Sequence, residues 1–274
     1  MSENVITSYK GFDKNMKCHG FQYEVGKEYE MDGEIKCCKQ GFHACKSPME
    51  VWDYYDMLSS RYAEVEQSGK IDKEENSTKV CSSRIKIKAE LKLADIINIG
   101  VEWLKDITST SKVKTDGELN DNGDRRKQIG SSGDYAKIGS SGYSAQIGSS
   151  GDSAQIGSSG NSAQIGSSGY SAQIGSSGYY AQIGSSGDYA KIGSSGYSAK
   201  IGSTGEDSVI MCAGNSSIAK AKVGSWITLA EWKWSDKKKR NVPVCVKTEY
   251  VDGENIKADT WYQLKNGKFV EVNE

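Results

Sequence analysis

The chain has 274 residues and a formal net charge of -1, with 35 Lys+Arg against 36 Asp+Glu, which excludes a global basic field for nucleic acid and a strongly acidic tail. Hydrophobic residues make up only 36%, and 31 Gly stand against 2 Pro, so the glycine serves something regular rather than a proline-rich disordered linker. No apolar run approaches the about 20 residues that a membrane helix needs. The start, MSENVITSYKGFDKN, shows no basic stretch followed by an apolar one, so no secretory signal is read there and the expectation is a cytoplasmic protein without membrane contact. Seven Cys then read as thiols rather than as a disulfide framework.

In chain order, residues 1–92 read as a small α+β domain. Phe21-Gln22-Tyr23-Glu24-Val25 and Glu28-Tyr29-Glu30 flank Gly26 as short strands. Ser47-Pro48-Met49-Glu50 reads as a capping box with Pro at the first helical position, opening a helix through about Met57. Arg84-Ile85-Lys86-Ile87-Lys88 alternates as a strand. Residues 93–127 begin with a stretch apolar enough for a short buried helix (93–104), read as a cap, and continue into a polar, irregular coil.

The repeat that follows decides the architecture. Ile recurs at 129, 138, 147, 156, 165, 174, 183, 192, 201 and 210, always nine apart, in the unit Ile-Gly-Ser-Ser-Gly-x-Ser/Tyr-Ala-Gln/Lys. A flexible linker has no reason to keep Ile and Ala in phase, so residues 128–230 read as a β-solenoid. Ala145 and Ile147 are two apart and share the inner face, while Ser144, Gln146 and Gly148 share the outer one. Ser149-Ser150-Gly151 supplies the turn, with Gly free to take φ > 0. A triangular coil of three units encloses more space than Ala and Ile can fill, so two units per coil are preferred. Residues 18 apart then stack. One turn edge carries Tyr143, Asn161, Tyr179 and Tyr197, the other Asp134, Asp152, Tyr170, Asp188 and Glu206.

Residues 231–274 read as a β cap that closes the open sheet ends. Val242, Val244 and Val246 alternate. Two short strands flank Asn266-Gly267, a strong hairpin signal. Trp226, Trp232 and Trp234 are candidates to seal the end. The fold class is therefore mainly β: a nonapeptide-repeat solenoid with a small α+β amino-terminal domain and a β-hairpin cap.

Three constellations could carry chemistry. Cys18, Cys37, His43 and Cys45 offer soft ligands for zinc, but there is no CxxC pair and small buried thiols are the favoured reading. His43, Tyr54 and Glu66 follow the His–Tyr–Glu order of ADP-ribosyltransferases, which that faint likeness makes the enzyme alternative. The tyrosine edge could act as a stacking platform for sugars or bases. Calcium is disfavoured because Ser stands where calcium β-rolls carry Asp, and ice binding because outward Thr is almost absent. The basic run Lys237-Lys238-Lys239-Arg240 reads as a solvated loop. No cofactor is expected.

The repeat is similar to the β-rolls in head domains of trimeric adhesins. Tyr9-Lys10-Gly11-Phe12, Gly41-Phe42-His43-Ala44-Cys45, Leu229-Ala230-Glu231-Trp232 and Asp259-Thr260-Trp261-Tyr262 resemble an uncharacterised family of phages, prophages and Firmicutes-type bacteria. That resemblance implies a bacterial or phage setting and, as a role, inhibition of host defence. The favoured function is a non-enzymatic binder that occludes or mimics a protein or nucleoprotein partner, with nucleic acid alone less favoured and an oligomer allowed. Contact residues are Tyr143, Tyr179 and Tyr197 on one edge and Asp134, Asp152 and Asp188 on the other. The remaining alternative is a fibre or adhesin-like structural protein.

Overall fold

A computed structural model describes residues 5–74, 77–108, 118–120 and 128–273. They divide into two compact units, Met1–Trp103 and Leu104–Glu274.

The first unit contains β1 (Ile6–Phe12), β2 (Lys17–Cys18), β3 (Phe21–Gln22), β4 (Glu28–Glu30), β5 (Phe42–Cys45), a 3-10 turn (Met49–Asp53), β6 (Arg61–Lys73), β7 (Lys79–Leu91) and the greater part of the helix α1 (Leu93–Thr108). β6 pairs with β1 along one edge and with β7 along the other, and β7 also pairs with β5 and β4. The sheet thus closes on itself around Phe12, Phe42, Ala44, Val65, Ile85 and Ile87. Closure removes the open edges that a free sheet would expose. The helix expected from the capping box shrinks to the 3-10 turn. Ser47 Oγ does accept Glu50 N–H at 3.4 Å, but the Glu50 carboxylate turns away to accept Thr78 N–H at 3.1 Å, which leaves the box half made. The apolar run at 93 onward is helical and buries Ile96, Ile97 and Val101. It packs on Met49, which a side chain at Gly100 would meet at 2.9 Å.

The second unit contains β8 (Glu118–Asn120), β9 (Gln128–Ser131), β10 (Lys137–Ser140), β11 (Gln146–Ser149), β12 (Gln155–Ser158), β13 (Gln164–Ser167), β14 (Gln173–Ser176), β15 (Gln182–Ser185), β16 (Lys191–Ser194), β17 (Lys200–Ser203), β18 (Val209–Cys212) and β19 (Ile218–Lys220). Even-numbered strands stack in one parallel sheet and odd-numbered strands in the other. Ile156 lies over Ile138 and under Ile174, and Ile165 between Ile147 and Ile183. Two units therefore make one coil. The Ile and Ala columns are buried together between the sheets, each Ile contributing about 1.5–3 kcal/mol. The outer faces differ. Gln146 is 2% exposed on the odd sheet, in an amide ladder that runs Gln128–Gln146–Gln164 at 2.9 and 3.1 Å. On the even sheet Gly157, Gly175 and Gly193 face open space.

The turns depart from the sequence reading. The left-handed residue is not the glycine but the Ser, Tyr or Asp two places later, such as Ser144, Tyr180, Tyr189 and Asp207. For a non-glycine residue this conformation costs about 1–2 kcal/mol. From Tyr135 to Ser198 each such N–H is aimed at a carbonyl of the next coil, as in Ser162 to Tyr179 at 2.7 Å and Tyr180 to Tyr197 at 2.8 Å. The glycine is needed for room: a Cβ on Gly169 would lie 2.0 Å from the carbonyl oxygen of Gly151, one coil earlier. The strand-end serines also turn inward. Ser131, Ser140 and Ser194 hydroxyls accept a turn N–H at 3.3 Å, whereas those of Ser149, Ser158, Ser167, Ser176 and Ser185 are buried without a partner.

At the carboxyl end β20 (Trp226–Ser235) extends the even sheet and folds back antiparallel onto β21 (Arg240–Tyr250), with a bulge at Glu231/Trp232. Pro243 lies on that outer strand, where its missing N–H does no harm. β22 (Tyr262–Lys265) and β23 (Lys268–Glu271) form the expected hairpin about Asn266-Gly267 and cover the odd sheet. Trp226 and Trp234 are 47% and 59% exposed, so they do not seal the end. Val251, Ile256, Tyr262 and Leu264 fill that place. The run 237–240 lies at the exposed turn between β20 and β21.

Gly169→Ala should destabilise by at least about 1–3 kcal/mol, because the added methyl overlaps backbone that cannot yield. Gly175→Ala should shift stability by no more than about 0.5 kcal/mol. Urea midpoints of the two variants check this, and equal midpoints would refute the close-contact role of the turn glycine. The cap supplies a second test. Asp252 accepts the N–H groups of Glu254, Asn255 and Ile256 and the Asn255 amide at 2.8–3.0 Å. The Asn255 side chain, followed by these backbone donors, holds its carboxyl down to about 2 from 3.8. Its stabilisation is complete above the ordinary value and is lost as pH falls towards 2. Wild type should therefore lose more stability than Asp252→Asn between pH about 4 and about 2, as read by acid unfolding.

Candidate functional site

The amino-terminal unit holds a cleft of about 1400 Å³, whose lining includes Lys10, Cys18, His43, Tyr54, Tyr55 and Lys79. Lys10 comes from β1 and is 4% exposed. Its Nζ donates to the His43 carbonyl at 2.9 Å and points to Cys18 Sγ at 3.4 Å. The rings of Phe12 and Tyr23 lie 5.7 and 5.6 Å from it. Burial pushes the Lys10 pKa below its ordinary value, against the opposing pull of Cys18. Cys18 Sγ also meets the Tyr55 hydroxyl at 2.9 Å, and burial raises that phenol. Gly11 is required here, since a Cβ would fall 2.3 Å from the Tyr55 ring.

His43 lies on β5, opposite Cys81 on β7. Its Nε2 accepts the Cys38 N–H at 3.0 Å. Burial lowers its pKa, and the neighbouring Lys10 and Lys79 act in the same direction, so the imidazole is held neutral. Lys79 Nζ sits 4.5 Å from the Tyr54 ring, 3.1 Å from Cys38 Sγ and 3.3 Å from Glu74. Of the four thiol and imidazole groups picked out by sequence as soft ligands, Cys37 and His43 come together, and Cys81 joins them with donor atoms within 4.8 Å of one another. Cys18 sits instead between Lys10 and Tyr55. Cys45 is buried beside Tyr9, and burial raises its thiol. Of the ADP-ribosyltransferase-like set, His43 and Tyr54 line the cleft but Glu66 does not. Glu66 pairs with Lys88 at 2.7 Å on β6 and β7.

The solenoid edges are the second candidate surface. Tyr143, Tyr179 and Tyr197 are exposed in one column, with Tyr179 and Tyr180 both about 6 Å from Tyr197 by ring centroids. On the other edge Tyr170 and Tyr189 are 5.0 Å apart. The acidic residues there have a structural task that sequence did not reveal. Asp134, Asp152 and Asp188 each accept, through Oδ1, the N–H of the residue one coil later, at 3.0, 2.8 and 2.7 Å. Asn161 does the same for Tyr179.

These features define a β-solenoid protein that carries a small closed β domain at its amino end. Residues 6–99 match the family model of a domain of unknown function, DUF7666, so the match ends before the solenoid begins. No curated protein and no solved structure matches the chain. Among the described residues, no helix is long and apolar enough to cross a membrane.

The buried lysine is directly testable. A Lys whose folded pKa is depressed releases its proton while the unfolded chain still binds one, so it adds stability as pH rises towards its ordinary 10.5. The stability of wild type relative to Lys10→Met should therefore increase as pH rises towards the ordinary lysine value. Urea unfolding gives the difference, and a pH-independent gap would disprove the depressed pKa.

Proposed function

We propose that the protein is a non-enzymatic binding protein whose solenoid meets a macromolecular partner through its tyrosine edges. The observation that carries this reading is the array of seven turn tyrosines, from Tyr135 at 75% to Tyr197 at 39% exposure. Large apolar rings held at the surface of a rigid ladder are unusual without a partner. Tyr combines an apolar body with a polar tip, and little side-chain entropy is lost when it is buried at an interface. The turns carry the phenols at fixed spacing, because every turn is bonded to the next coil. Such a surface needs no reorganisation to bind.

The chain's near-zero charge favours an aromatic, protein-type contact over long-range attraction to nucleic acid. A protein or nucleoprotein of a bacterial cytoplasm, occluded or mimicked by the ladder, is the corresponding partner, and a host-defence component is the role we assign to it. An enzyme reading of the cleft has less support, since Glu66 is engaged by Lys88 away from His43 and Tyr54.

Replacing Tyr143, Tyr179 and Tyr197 with Ser should leave the circular dichroism spectrum and melting temperature close to wild type, because none of the three is in the core. Capture of a stoichiometric partner from bacterial lysate should be lost. A Gln155→Ala, Gln173→Ala control on the open even face should retain it. Undiminished capture by the tyrosine variant would rule the edge out.

A further inference from the structure

We propose that Cys37, His43 and Cys81 form a binding site for a thiophilic divalent metal, zinc by preference, within the amino-terminal domain. This inference is independent of the tyrosine-edge reading. Two sulfurs and one imidazole nitrogen are a donor set suited to zinc and unsuited to calcium or magnesium. Their ligand atoms already lie within 4.8 Å of one another. In a tetrahedral site with Zn–S of about 2.3 Å and Zn–N of about 2.0 Å, two sulfurs and one nitrogen stand roughly 3.5–3.8 Å apart. A contraction of at most about 1.3 Å, within reach of side-chain rotation, completes the geometry.

The fold brings these three together from separate stretches of chain. β5 and β7 run antiparallel with His43 directly opposite Cys81. Cys37 sits in a tight loop closed by reciprocal bonds between Lys36 and Gln40, both at 2.9 Å. The loop is tied to β6 by the Cys37 N–H, which donates to Asp72 Oδ2 at 2.8 Å. Between the loop and the strand stands Gly41, with φ of 134°. A Cβ at that position would fall 2.0 Å from Cys81 Sγ. Only glycine lets the chain pass over that thiol, so the close approach of the loop to Cys81 is built into the backbone.

The groups are also in a state from which they can ligate. Cys81 Sγ donates to the Gln40 carbonyl at 3.1 Å and Cys37 Sγ to the Asp72 carbonyl at 3.5 Å. Both thiols are therefore protonated without the ion. Binding forms two metal–sulfur bonds and one metal–nitrogen bond and releases the two thiol protons to solvent. His43 uses Nε2 to accept the Cys38 N–H, so coordination through that nitrogen replaces one contact that the imidazole already makes. Three protein donors leave a fourth position for water. Cys18, bound to Lys10 and Tyr55, and Cys45, buried elsewhere on β5, take no part.

The test uses the full chain, reduced and freed of metal. Titration with Co2+ should give thiolate-to-cobalt charge-transfer absorption and tetrahedral d–d bands that saturate at one equivalent and bleach on addition of Zn2+. Cys37→Ser and His43→Gln should abolish the charge-transfer band. Wild-type protein supplies a readout that does not depend on the folding of a variant. Zn2+ should protect Cys37 from alkylation, mapped by mass spectrometry, and leave Cys18 and Cys245 at their metal-free rates. No charge-transfer band at one equivalent would overturn the assignment. So would protection of Cys18 in place of Cys37, or a Cys37–Cys81 disulfide that, once reduced, yields thiols taking up no Co2+.

Discussion

The contact on which the solenoid depends is the one between each turn glycine and the carbonyl of the glycine one coil before it. From Gly151 to Gly214 a Cβ at the turn glycine would lie 1.8–2.1 Å from that oxygen. No side chain fits, so the coils settle at the strand-pairing distance of about 4.8 Å, with the turns stacked as tightly as the strands. The other features follow. With the glycine committed to close approach, the reversal falls on the residue two places later, which accepts a left-handed conformation. Its N–H and the Asp or Asn side chain before it are then satisfied by the next coil. The tyrosine ring has no place between the sheets and projects outward, where neighbouring rings of adjacent coils meet, as Tyr170 and Tyr189 do.

Much of this was legible because the repeat is nearly exact. The nine-residue recurrence of Ile, with Ala two places before it, determined the inner face. The small volume of Ala opposite Ile decided for two units per coil, and Ile156 over Ile138 bears it out. The Asn266-Gly267 hairpin was equally plain, since both residues adopt positive φ. Conformation inside the turn was not legible. Glycine serves both for positive φ and for want of room, and composition does not separate the two. Nor did sequence reveal that the strand-end serines point inward, because a Ser-Ser pair reads as polar turn.

The amino-terminal domain was less readable, for a reason of topology. His43 and Cys81 meet because β5 and β7 are neighbours in a sheet that closes through β6, and no local spacing carries such a register. Cysteines near one another along the chain, Cys18 and Cys45, were the natural companions to choose. One signal was present. The alternating strand around 84–88 extends back through Val80-Cys81-Ser82, and a strand of that length must pass several partners. Glu66 illustrates the converse: the order His, Tyr, Glu is preserved along the chain, yet the pleat of β6 carries the carboxylate to Lys88 instead of into the cleft.

The alternation of strands between two sheets also limits how such a gene can change length. Near-identical repeats are prone to slippage and unequal exchange, and each event adds or removes whole nonapeptides. A single nonapeptide would send every later strand to the opposite sheet. It would exchange the tyrosine and acidic edges beyond the point of insertion and present β20 and β22 to the wrong halves of the cap. Two nonapeptides, the eighteen residues that separate Ile156 from Ile174 in register, add one coil and leave both ends unchanged. Viable length variants should therefore differ by even numbers of repeats, so that parity rather than total length is the inherited quantity.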